Sequence, residues 1–158
     1  MNDYNYIFSK NISTLFYLGF FSKMPGTLGS LAGLITGFLL IKYFSIIIFY
    51  FFFFIIFLTS FNVVRIYQKK VGETDKSEII IDEYVGQLIP LIYFHHSYKD
   101  FLIAFLFFRI FDIIKIFPAN IIDRKYSNYF GVIFDDVIAG IQTLILMLTL
   151  RYYNVFLL

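Results

Sequence analysis

Two pairs of adjacent carboxylates, Asp82-Glu83 and Asp135-Asp136, and one triplet, Arg109, Asp112 and Lys115, stand inside otherwise apolar sequence. Carboxylate oxygens suit Mg²⁺, which keeps some of its waters and accepts substrate phosphate as a further ligand. Two carboxylate pairs at one depth would repel each other unless a cation lay between them. Asp82, Glu83, Asp135 and Asp136 are therefore read as a Mg²⁺ cage. Each pair also precedes an apolar run, where negative charge suits a helix start, so helix stabilisation is the competing role. Arg109, Asp112 and Lys115 are spaced three apart and would form one tilted stripe on a helix. Charges in an apolar helix are expensive and point to function. Arg and Lys are natural ligands of a phosphate dianion. Asp112 either binds metal or orients Arg109, and an Arg–Asp–Lys ion-pair ladder is the structural alternative. The stretch Met24-Pro25-Gly26-Thr27-Leu28-Gly29-Ser30 offers small residues and free N–H groups at a helix start, a ready anion site. Gly26, Thr27 and Ser30 are expected to face the anion, whereas Gly33 and Gly37 continue a small-xxx-small packing pattern. His95 and His96 form a pair of possible metal ligands, but a solvated loop or interface on the opposite face is the expectation for them.

These groups must be positioned by apolar elements. Pro25-Gly26 signals a turn, with Thr27 as N-cap of a helix starting near Leu28. A short helix is expected over residues 11–21. Residues 24–41 carry no charge, the lower limit for a span, and residues 43–64 form the strongest membrane-spanning run. A polar segment follows at 65–78, with Gly72-Glu73-Thr74-Asp75 as a turn. Shorter apolar stretches cover 84–98, 101–118 and 137–150, with a polar connection at 121–129. If all five stretches cross a bilayer, ten of the thirteen Lys and Arg fall on the N-terminal side. The positive-inside rule makes that side cytoplasmic. The four motifs then share the cytoplasmic face. The expected architecture is all-α: one domain over residues 1–158, with four to five apolar helices.

Composition agrees. Hydrophobic residues make up 59% and charged residues 15% of the 158, with 23 Phe and 13 Tyr; mean hydropathy is +0.77. A soluble domain has about 25% charged residues. One this small could not hide so much apolar surface from water. A formal charge of +2 and the lack of polar low-complexity tracts exclude nucleic-acid binding and disorder. The absence of cysteine excludes thiolate metal sites, disulfides and a cysteine nucleophile. No cleaved signal peptide is expected in residues 1–10.

Taken together the motifs resemble phosphatidylglycerophosphatase A, a family of bacterial membrane lipid phosphatases. The matching residues are Pro25-Gly26-Thr27, Gly29-Ser30-Leu31, Ile81-Asp82-Glu83, Gly86, Phe108-Arg109, Phe111-Asp112, Lys115, Pro118, Asp123-Arg124, Gly131-Val132, Asp135-Asp136 and Ala139-Gly140. The chain departs from the family at Lys115-Ile116, where a Lys-Pro step is usual, and at Asn128-Tyr129-Phe130, where a Gly-rich stretch is common. The resemblance implies an all-helical fold in the bacterial cytoplasmic membrane. It also implies Mg²⁺-dependent hydrolysis of phosphatidylglycerophosphate to phosphatidylglycerol and phosphate. In that reaction a bound Mg²⁺ lowers the pKa of its water. Arg109 and Lys115 stabilise phosphoryl charge. Asp82, Asp112 and Asp135 complete the expected catalytic set. A covalent aspartyl-phosphate is the competing route. A transporter is the rival from another class, but it would place ionisable groups near mid-bilayer rather than at one face.

Overall fold

The computed structural model describes residues 3–72, 76–126 and 128–153. Residues Glu73, Thr74 and Asp75 of the expected turn, and the side chains of the Asp123-Arg124 pair, fall outside the described residues. Every regular element among them is helical: α1 (Asp3–Ser13), a 3-10 turn (Leu18–Phe20), α2 (Pro25–Tyr43), α3 (Ile46–Val71), α4 (Ile81–Leu91), α5 (Tyr98–Ile114), α6 (Ala119–Lys125) and α7 (Tyr129–Tyr152).

The N-terminal expectation shifts. The helix lies earlier than residues 11–21 and ends at Ser13. Leu15, Phe16 and Tyr17 then take positive φ angles of 46°, 56° and 67°. Thr14 marks the break: its hydroxyl donates to the Lys10 carbonyl and accepts from the Tyr17 N–H. Such local side-chain bonds compete with helix continuation.

Helix α2 starts at Pro25, not near Leu28, because proline's fixed φ and missing N–H suit the first helical position. Helix α3 is capped by the Ser45 hydroxyl and runs through the expected polar segment to Val71. It persists past Arg65 because Tyr67 and Gln68 stay buried. Tyr67 stacks on Tyr6 of α1, and Lys70 pairs with Asp3.

The short α4 is the centre of the molecule, with only Glu83 of its 11 residues not buried. Helices α2 and α7 press closely against it. A Cβ at Gly33 of α2 would meet the Tyr84 carbonyl at 2.6 Å, and one at Gly140 of α7 would meet the Gly86 carbonyl at 2.4 Å. Only glycine permits such backbone approach. Helix α5 begins with a capping box between Ser97 and Asp100 and ends at Lys115, whose φ is 49°. The expected polar connection at 121–129 overlaps α6, which begins at Ala119. Helix α7 begins at Tyr129, just over two turns before residue 137, because Asn128 caps the Phe130 and Gly131 N–H groups.

Among the described residues, three helices are long and apolar enough to cross a membrane: α2, α3 and α7. Helix α4 is too short to span by itself. Helix α5 has 17 residues and carries Arg109 and Asp112 toward its end. Phe38 of α2 meets Phe101 of α5 edge-on at 5.3 Å, so the end of α2 lies beside the start of α5.

Candidate active site

At the N-terminal end of α4, a cavity of about 160 Å³ is lined by Asp82, Glu83, Asp112, Lys115, Asp135 and Asp136, with Pro25, Ser77, Ile79 and Val132 as its remaining walls. Four distant segments meet here. Helix α4 brings Asp82 and Glu83 in its first turn, where the helix dipole favours carboxylates. The dipole cannot account for Asp135 and Asp136. They sit well inside α7 and are buried, so the expectation of both pairs at helix starts holds only for the first.

Oxygens of Asp82, Glu83 and Asp136 lie within 4.8 Å of one another. Asp135, the fourth expected ligand, lines the same cavity but lies outside this group of three, since successive helical residues diverge by about 100°. Its Oδ2 accepts from Lys115 Nζ, and its Oδ1 accepts from the Asp136 N–H. Lys115 has left the stripe expected with Arg109 and Asp112, because its left-handed backbone ends α5. Arg109 Nη1 donates to Asp112 Oδ2, so Asp112 orients Arg109 while also lining the cavity. Arg109 Nε is buried without a partner among the described residues.

This donor set fits Mg²⁺. Three oxygen donors converge, each from a carboxylate. Glu83 Oε2 is buried with no hydrogen-bond partner among the described residues. Burial pushes the Glu83 carboxyl up to about 7, with the Asp112 charge adding to it, while Asp82 and Arg109 oppose the shift. A cation among the three carboxylates would offset both the burial and the repulsion.

The glycine-rich stretch contributes backbone more than side chains. A Cβ at Gly26 would stand 2.3 Å from Glu83 Oε1 and 3.2 Å from Arg109 Nη1, so only a hydrogen fits between α2 and these groups. The Ser30 hydroxyl is turned away and donates to the Gly26 carbonyl at 2.7 Å. Thr27 is half-buried and is not part of the cavity lining. The first turn of α2 has no side-chain cap, so its N–H groups remain available beside Pro25.

His95 and His96 lie beyond the other end of α4. His95 Nδ1 bonds to the Leu91 carbonyl at 3.0 Å. Together with Lys42 and Tyr98 they line a separate cavity of about 250 Å³. Ser77 and Ile79 complete the cavity wall without any signal in their spacing. Gln87, a polar residue in an apolar run four residues after Glu83, is fully buried.

A family model described as phosphatidylglycerophosphatase A matches residues 11–151. The chain is 37% identical over 136 residues to a protein named phosphatidylglycerophosphatase A from Haemophilus influenzae, covering 85% of this chain and 83% of that one. It is 32% identical over 150 residues to a putative phosphatidylinositol-3-phosphatase from Bacteroides thetaiotaomicron, covering 89% and 92%. A protein named phosphatidylglycerophosphatase A from Escherichia coli is 28% identical over 123 residues, covering 75% and 69%. No solved structure matches the chain.

Proposed function

The chain belongs to the phosphatidylglycerophosphatase A family and is a phosphoric monoester hydrolase; from that premise we propose Mg²⁺-dependent hydrolysis of phosphatidylglycerophosphate to phosphatidylglycerol and phosphate. The observation that carries the metal dependence is the convergence of Asp82, Glu83 and Asp136 from two helices within 4.8 Å. Lys115 and Arg109, each tied to a carboxylate, stand at the same end of the molecule.

Asp82, Glu83 and Asp136 would hold the ion. When bound it supplies positive charge against the phosphoryl oxygens and a more acidic water. The chain's own groups do the rest. Arg109 offers its guanidinium and Lys115 its ammonium to the phosphoryl oxygens, where charge accumulates during transfer. Asp112 and Asp135 hold these two cations in place. The N–H groups at the start of α2 give neutral donors on the opposite wall. A water oxygen attacks phosphorus and passes a proton to a cavity carboxylate. The bond from phosphorus to the glycerol oxygen breaks, and the carboxylate passes that proton to the departing oxygen, which leaves as the alcohol.

The site stands at one end of apolar helices, so the phosphate can reach it while the diacyl portion stays in the bilayer. The chain is assigned to the bacterial cytoplasmic membrane as a multi-pass protein with the site facing the cytoplasm. The charge asymmetry between its connections supports that orientation. Single engineered cysteines at Lys76 and at Lys99, in a chain with no native cysteine, should be labelled from opposite sides. Labelling from one side only would overturn the topology.

The decisive experiment is phosphate release by the purified chain from phosphatidylglycerophosphate, with Mg²⁺ and with excess chelator. Release that chelation abolishes is expected. No release from a folded protein would refute the reaction. Because one relative is named for phosphatidylinositol 3-phosphate, that lipid belongs in the same assay, and a preference for it would reassign the substrate.

A further inference from the structure

Gln87 is fully buried in the middle of α4, and neither its Oε1 nor its Nε2 has a hydrogen-bond partner among the described residues. A buried amide left unsatisfied at both ends costs stability, so a residue of this kind calls for an explanation. Packing gives none: the helix is otherwise apolar beyond Tyr84, and leucine or methionine would fill the space without the penalty.

Its position supplies the reason. Gln87 is four residues after Glu83, so both side chains leave the same face of α4, one turn apart. Side chains on a helix lean toward its N-terminus. The N-terminus of α4 is the active-site end, so the Gln87 amide leans toward Glu83. There Glu83 Oε2 is also buried and unpartnered. Gly33 presents bare backbone alongside, and even a Cβ there would lie 3.4 Å from Gln87 Cβ. Two buried polar groups without a hydrogen-bond partner among the described residues thus follow each other along the face of α4 that packs on α2, Glu83 reaching Gly26 and Gln87 lying at Gly33. Polar lining of that kind retains buried water.

We propose that Gln87 is a positioning residue for the metal: its Nε2 donates through one ordered water to Glu83 Oε2 and fixes the carboxylate as a Mg²⁺ ligand. This rests on the assignment of Asp82, Glu83 and Asp136 as the metal-holding set. Groups behind metal ligands set affinity by about 10–100-fold when removed.

The experiment is thermal unfolding of the full purified chain across a Mg²⁺ titration, comparing wild type, Gln87→Met and Asp136→Asn. Gln87→Met should unfold at an equal or higher temperature than wild type without Mg²⁺, since the unpaired amide is gone. Its half-saturating Mg²⁺ concentration should rise about tenfold. Asp136→Asn should lose the Mg²⁺ shift. A role in packing alone predicts the first effect without the second. Equal Mg²⁺ half-saturation in Gln87→Met and wild type would therefore overturn the inference. So would the absence of any Mg²⁺ shift in wild type, which would remove the metal set as well. If Gln87→Met does not fold, Gln87→Asn withdraws the amide by one methylene and should weaken Mg²⁺ binding likewise; an unchanged half-saturation there sinks the idea equally. A wild type that shows the shift but releases no phosphate, with Gln87→Met still weakened, would cost the assigned reaction and support the role of Gln87.

Discussion

The two ends of α4 each carry a cavity and a cluster of titratable side chains, yet they are built in opposite ways. At the far end, the hydrogen-bond partners of His95 and Asp100 are close in sequence. His95 bonds to the carbonyl of Leu91, and Asp100 Oδ2 accepts from the N–H groups of His96 and Ser97. Lys42 lies over the rings of Tyr43 and Phe38. Most of these polar groups are satisfied within their own turn or cap, although Asp100 Oδ1 is buried without a hydrogen-bond partner among the described residues, and α5 gains a firm start. At the near end, partners are distant. Lys115 and Asp135 are 20 residues apart, and Asp82 and Glu83 meet Asp136 from another helix. Like charges are forced together there, and Glu83 Oε2 and Arg109 Nε are left unpartnered among the described residues. The far cavity is the larger, at about 250 Å³ against about 160 Å³. Size therefore does not mark the candidate active end. Buried charge assembled at the expense of local satisfaction does.

The largest effect that would break this contrast, if absent, is expected at Asp136. Asp136→Asn should lower phosphate release by about a thousandfold, on the scale of losing a principal charge-stabilising group, with folding retained by circular dichroism. Gly26→Ala should lower release by about 10–100-fold, because the new methyl displaces Glu83 and Arg109 from their places, and small misplacements are costly in rate. Unaltered kinetics in both would show that the near end is not the reacting end. Asp100→Ala sharpens the contrast from the other side. It removes half of the α5 capping box and should cost about 1 kcal/mol in unfolding free energy, while the rate per folded molecule stays constant. The smallest effect is expected for the double replacement His95→Ala with His96→Ala, within about twofold of the wild-type rate, as for sites remote from the chemistry. A large loss there would move the function to the wrong end of α4.

Some of this was legible one residue at a time. Alternation of charge-free and charged stretches marked α2 and α3, because desolvating a charge in hydrocarbon is costly whatever the fold. Asp82-Glu83 announced a helix start because local dipole effects act within one turn. The boundaries set by side-chain capping were harder. Asn128 extended α7 upstream and moved Asp135 and Asp136 into its interior. Tyr67 and Gln68 kept α3 helical through a polar stretch, because α1 covers them. Neither effect can be seen without knowing which surface is buried.

The sequence by itself determined the inventory: an all-helical chain, two carboxylate pairs, two separated cations and a bare glycine stretch able to meet an anion. Those follow from residue type and short-range spacing, where polarity and helix geometry act alone. Tertiary structure decided the partnerships. It took Asp136 to the α4 pair and Asp135 to Lys115, turned the Ser30 hydroxyl away, and buried Gln87 completely. Adjacent residues on one helix point to different neighbours, and only the close approach of α2 and α7 to α4 fixes which neighbours those are.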